Sequence, residues 1–179
     1  MDMEFEQRND VTAEEYLEMI RLKTAVLLAA SLKIGARLGG ASVEDADRLY
    51  DFGMHIGVAF QLKDDLLDVY GNAKVFGKNI GGDILCNKKT YMLIKALEHA
   101  NADQHNQLNS WINAETFQPA EKIAAVTELY DRIGVKAVCE NKILEYRNRA
   151  MESLAAVSIA EEKKEELKKI IENLIHREV

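Results

Sequence analysis

The sequence predicts an all-helical domain, and three observations carry that prediction. Leu, Ala, Lys, Glu and Ile dominate the composition, and these residues lose little freedom in a helix. A single proline occurs in 179 residues, so almost nothing interrupts the long periodic runs. Helix-start signatures recur along the chain, each followed by an apolar stretch. At 47% hydrophobic residues, the chain has enough apolar surface for one domain with a real core.

The elements follow in order. Thr12 with Glu15 forms a capping box and opens a helix over 13–38, stopped by Gly39-Gly40. Ser42 with Asp45 opens a second helix, reaching about Tyr70 and ended by Gly71-Asn72. Residues 71–88 are rich in glycine, lysine and asparagine and read as a loop; a loop this long inside a helical domain is usually functional or disordered. A helix is expected over 90–99 and a short one over 104–111. Pro119 sits where a first-turn proline belongs and starts a helix to about Arg132. Gly134 breaks or bends it, and the next helix reaches about Val157. Ser158 with Glu161 is expected to cap the last helix. The opening residues, Met1 to Glu6, read as the end of a helix, so a segment N-terminal to them is expected to be missing.

Several function classes are disfavoured. The net charge is −7, whereas nucleic-acid binders present basic faces. Cys86 and Cys139 match no zinc spacing and read as thiols in a reducing compartment. The longest apolar run, residues 25–30, is far too short to span a bilayer, and no signal peptide opens the chain; a cytoplasmic protein without a stable membrane anchor is expected. The chain contains no GxxxxGK[ST] or GxGxxG motif, and its four histidines are scattered. His55 reads as a core or supporting group rather than a ligand.

The segment FQLKDDLLDVYG, Phe60 to Gly71, is the centre of interest. The stretch Gly57 to Tyr70 that contains it is apolar almost all the way round, as a buried helix would be, yet it carries Asp64, Asp65 and Asp68. Spacings of three and four put the carboxylates near one helical face. Like charges gathered in a buried setting are costly unless a cation neutralises them. A hard divalent cation such as Mg²⁺ suits carboxylate oxygens and is readily shared with phosphates. The competing reading is a solvated acidic patch. Gln61, one turn earlier, either hydrogen-bonds a ligand or edges the core.

Lys23 lies in another apolar stretch, RLKTAVLLAAS. It needs a partner if buried, or snorkels to water. Gly77-Lys78, Gly82-Asp83 and Lys88-Lys89 punctuate the loop after the aspartates. Glycines there would let backbone amides approach a phosphate, with lysines supplying charge; an ordinary surface loop is the alternative.

The order Lys23-Thr24, then FQLKDDLLD over 60–68, then Gly77-Lys78, Gly82-Asp83 and Lys88 resembles the C-terminal half of the trans-isoprenyl (polyprenyl) diphosphate synthases. The family includes farnesyl and geranylgeranyl diphosphate synthases. The specific motifs cover residues 2 to about 95. The resemblance implies an antiparallel helical bundle of the isoprenoid synthase type, here incomplete, and condensation of isopentenyl diphosphate with an allylic diphosphate. It implies that Asp64, Asp65 and Asp68 hold Mg²⁺, and that Lys23, Lys78 and Lys88 bind diphosphate. It further implies that the Thr24 carbonyl and the Gln61 side chain stabilise a carbocation, with Asp2 a weaker match. Family members are usually homodimers, and self-association is expected here.

The family's chemistry also needs a first aspartate-rich motif, and these residues contain no second DDxxD. The chain alone is therefore expected to be inactive. Two other readings are a non-catalytic partner subunit of a heteromeric synthase and a terpene cyclase-like protein. The retained aspartates argue against the former. The lack of a later Asn/Asp-Ser/Thr-Glu motif argues against the latter.

Overall fold

The computed structural model describes residues 8, 10–71 and 80–175. Among these residues every regular element is helical. In chain order they are α1 (Ala13–Ile20), a π-helical turn (Arg21–Ala25), α2 (Val26–Leu38), α3 (Val43–Tyr70), α4 (Gly82–Leu85), α5 (Tyr91–His99), α6 (Ala102–Ile112), α7 (Pro119–Ile133), α8 (Val135–Ala155), a 3₁₀ turn (Glu161–Lys163) and α9 (Glu165–Ile175).

The local signals explain most boundaries. Thr12 and Glu15 form the reciprocal capping box: the Thr12 amide donates to the Glu15 carboxylate at 2.9 Å, and the Glu15 amide to the Thr12 hydroxyl at 3.2 Å. The Ser42 hydroxyl accepts the Asp45 amide at 3.0 Å and opens α3. Gly134 adopts φ +83 and ends α7 outright, the left-handed closure that glycine favours.

Three features depart from expectation. The helix over 13–38 contains the π-helical turn at 21–25, closed by the Val26 amide on the Arg21 carbonyl. The 71–88 segment holds a one-turn helix, α4. Ser158 does not cap the last helix. Its amide instead donates to Asp45 at 2.9 Å, while α9 starts at Glu165 behind the 3₁₀ turn. The Ser158 hydroxyl, which would be the capping group, accepts from the Arg48 guanidinium at 3.2 Å, and the chain reaches its last helix by another route.

The chain divides into two compact units. One holds the described residues up to Tyr16 together with Asp64–Glu140; the other holds Leu17–Lys63 together with the described residues from Asn141 onward. In the first unit α7 packs against α4, α5 and α6, burying Leu93, Leu108, Val126 and Tyr130. In the second, Phe52, Ile56, Ala150, Leu154 and Ile171 form the core, each large apolar side chain contributing roughly 1.5–3 kcal/mol on burial.

Candidate active site

The second unit brings Thr24 and Gln61 together. The Thr24 hydroxyl donates to Gln61 Oε1 at 3.1 Å. The small residues around them explain this proximity. A Cβ built on Gly57 would lie 2.6 Å from Ala25 Cα, and one on Gly53 would lie 2.7 Å from Ala29 Cα. Glycine is therefore required at both positions for α3 to approach the π-turn and α2 this closely. Lys23 lies on the π-turn and is exposed, so the reading in which it is buried does not hold. π-turns inside α-helices recur at functional sites. An apolar cavity of about 370 Å³ adjoins Thr24, lined also by Leu28, Phe52, Ile56, Phe60 and Ile170.

The first unit holds the aspartates, and it separates their roles. Asp65 is 7% exposed. It accepts a hydrogen bond from the Tyr16 hydroxyl and lies 3.4 Å from the Lys88 ammonium. Burial pushes its pKa up to about 7, with Lys88 and the Tyr16 hydroxyl pulling against that rise. Burial lowers the Lys88 ammonium, but Asp65 and Asp83 outweigh it and the net shift is upward. For Asp65 the direction set by burial prevails. Tyr16 is itself raised well above the usual tyrosine range by burial and by Asp65.

Asp68 is partly buried and grips the segment that follows. It accepts the Asp83 amide at 2.9 Å, while its own carbonyl accepts the Gly81 amide at 2.6 Å. Its pKa is raised by burial, against the opposing hydrogen bond from the Asp83 amide. Gly81 adopts φ +84, and a Cβ there would meet Ile123 at 2.7 Å, so the turn that presents Gly82 and Asp83 to Asp68 is closed to larger residues. Lys88 completes the group, donating to Asp83 at 3.0 Å. Asp64 is partly exposed, with no hydrogen-bond or ion-pair partner among the described residues. The trio therefore does not present one uniform face: Asp65 is buried, Asp68 clamps backbone and Asp64 is open.

The donor set suits a hard divalent cation, since every acidic group in it is a carboxylate. The fit is that of an open edge rather than a closed cage: among the described residues no three acidic, histidine or cysteine side chains converge as a ready-made metal site. Asp64 has uncommitted oxygens, whereas Asp65 and Asp68 already serve protein donors. Lys78 and Asp2 lie outside the described residues. Sequence reasoning missed Tyr16, whose single signal was a large aromatic residue inside the capped first helix. It named the Gly82-Asp83 pair without foreseeing Asp83 as a partner of Lys88. His55 is half-buried beside Tyr146, with ring centroids 6.1 Å apart, in keeping with a supporting role. Neither Cys86 nor Cys139 is in a disulfide.

Solved structures share this helical fold. A geranylgeranyl pyrophosphate synthase superposes with a TM-score of 0.91 at 36% identity, over 99% of this chain and 55% of that one. The geranylgeranyl pyrophosphate synthase of Corynebacterium glutamicum, solved with isoprenyl diphosphate and magnesium, gives 0.88 at 30% identity, over 98% of this chain and 50% of that one. The fold is thus that of the all-helical isoprenyl diphosphate synthases. The polyprenyl synthetase family model matches residues 1–130, and the chain belongs to that family. A short chain isoprenyl diphosphate synthase of Methanothermobacter thermautotrophicus is 38% identical over 178 residues, which is 99% of this chain and 54% of the relative. The chain spans about half the length of such relatives. Among the described residues no helix is long and apolar enough to cross a membrane.

Proposed function

We propose that this chain supplies the diphosphate- and Mg²⁺-binding portion of a prenyltransferase that condenses isopentenyl diphosphate with an allylic diphosphate. The observation that carries the reading is the charge imbalance in the first unit. Asp64, Asp65, Asp68 and Asp83 lie on the end of α3 and in α4, and Lys88 is the one ammonium in contact with any of them among the described residues. Burial that holds Asp65 up near 7 marks a site where added positive charge is favourable. The family relationship supports the same reading, as does the magnesium and isoprenyl diphosphate found with a structural neighbour.

In this reading Asp64 would hold Mg²⁺, with Asp65 and Asp68 as further ligands or as groups that orient their neighbours. A bound Mg²⁺ would neutralise the charge that builds on a departing diphosphate. Lys88 and Lys78 hold the diphosphate as point charges; Lys23, in the second unit, is read as a further diphosphate-binding lysine. In the second unit the Thr24 carbonyl and the Gln61 side chain would offer oxygens to a developing carbocation, and the neighbouring apolar groove would take hydrocarbon. The residues carry one DDxxD motif, so the chain on its own is read as lacking turnover. It is further read as a cytoplasmic, self-associating protein. Leu27, Ile34 and Leu38 on α2 are 74%, 60% and 84% exposed, an apolar stripe that favours association.

Equilibrium dialysis with labelled inorganic pyrophosphate tests the assignment. Retention should require Mg²⁺ and fall at least about tenfold in Asp64→Asn, a loss of one metal ligand. Equal retention by wild type and Asp64→Asn would remove Asp64 from the site. Incorporation of isopentenyl diphosphate into acid-labile product by the purified chain would overturn the expected lack of turnover.

A further inference from the structure

Lys122, on α7, is 1% exposed, and its ammonium has no carboxylate partner among the described residues. Such a group is costly to bury, and its neighbours show what compensates it. Lys122 Nζ donates to Asn87 Oδ1 at 2.7 Å and lies 4.2 Å from the centre of the Phe117 ring, a cation–π distance. The other end of the Asn87 side chain is also held: Nδ2 donates to the Ile112 carbonyl at 2.9 Å. Asn87 has φ +52 and is the one non-glycine residue with positive φ among the described residues. Asparagine is one of few residue types that adopt this backbone with modest strain. The next residue is Lys88, whose amide donates to the Asp83 carbonyl at 3.0 Å and whose ammonium reaches Asp65 and Asp83.

We propose that Lys122 and Asn87 are positioning residues for Lys88. Asn87 is clamped between the Lys122 ammonium of α7 and the Ile112 carbonyl at the end of α6. The clamp fixes the left-handed turn that directs Lys88 to the aspartates. All of these groups lie in the first unit. The inference deepens the diphosphate reading and rests on it only for the ligand half of the test below. A lysine serves here better than an apolar residue of similar length because methionine would leave Asn87 Oδ1 unpaired in a buried setting.

The test uses the full chain with the variants Lys122→Met, Asn87→Gly, Lys88→Met and the double variant Lys122→Met/Lys88→Met. Glycine at 87 accepts the positive φ and removes only the clamp, so it carries the test if Lys122→Met fails to fold. Amide hydrogen exchange read by NMR should show the Lys88 amide exchanging at least about tenfold faster in Lys122→Met and Asn87→Gly, the signature of local opening. Amides within α8 should be unchanged. Calorimetry with Mg²⁺ and inorganic pyrophosphate should show Lys122→Met weakening binding about tenfold in the wild-type background and not at all in Lys88→Met, the non-additivity expected of groups acting through one another. Unchanged exchange at Lys88 in both variants overturns the proposal. So does an equal loss of affinity from Lys122→Met in both backgrounds. If wild type binds no pyrophosphate while exchange at Lys88 still responds, the positioning role stands and the diphosphate reading falls.

Discussion

At the scale of single residues, Tyr16 and Asp65 form a buried polar pair in the first unit. A buried tyrosine hydroxyl donates to a buried carboxylate, so Tyr16→Phe strands an acceptor and should cost about 1–3 kcal/mol in denaturant unfolding. A loss within experimental error would show that the hydroxyl contributes nothing there. Asp45 offers a prediction in pH. The Ser158 amide and then Arg48 hold its pKa below the usual aspartate value of 3.8. Its folded pKa lies below its unfolded one, so its contribution is present above about pH 4 and is lost as pH falls through the lower folded value. Asp45→Asn should therefore be less stable than wild type at pH 6, with the gap closing toward pH 3; a gap that widens on acidification would contradict the assignment. The aspartate trio was legible because carboxylates in an apolar helix are conspicuous. Tyr16 was not, because a buried tyrosine in a helix looks like core, and its partner lies 49 positions away. Nor could spacing reveal that Asp64, Asp65 and Asp68 divide into an open, a buried and a clamping group. Helical periodicity places residues on a face but does not say what the next segment covers.

At the scale of elements, the close approach of α3 to the π-turn sets the Thr24–Gln61 pair. Gly57→Ala puts a methyl group within 2.7 Å of Ala25 Cβ. It should cost about 1–3 kcal/mol by overpacking, and it should also lengthen the Thr24–Gln61 hydrogen bond in a crystal structure of the variant. An unchanged melting curve would mean that the helices shift apart freely. Most helix starts were readable because capping is local: Thr12 with Glu15, Ser42 and Pro119 each act within one turn. The π-turn was not readable, since no single residue in RLKTA announces its extra residue. Ser158 failed as a cap for a related reason: Arg48, 110 positions away, takes its hydroxyl, and Asp45 takes its amide. The segment over 71–88 stood out by its glycine, lysine and asparagine content. Its helical turn α4 depends on Asp68 accepting the Asp83 amide, a bond between segments that no local pattern announces.

At the scale of the whole chain, the family was legible from one ordered set of motifs: Lys23-Thr24, FQLKDDLLD, then Gly77-Lys78, Gly82-Asp83 and Lys88. The all-helical fold was legible from composition. The apolar stripe on α2 carries the association prediction: Ile34→Glu with Leu38→Glu should shift the chain toward monomer in sedimentation velocity at micromolar concentration, and a wild-type chain already monomeric there would remove the stripe from the argument. The central claim is that an acidic cluster, underpaid by one lysine, takes a divalent cation together with a diphosphate. Isothermal titration of inorganic pyrophosphate into the 179-residue chain, with and without Mg²⁺, tests it most directly. Saturable binding that appears with Mg²⁺ and vanishes on its removal is the predicted result. Absence of binding in a folded chain, or binding indifferent to Mg²⁺, would contradict it.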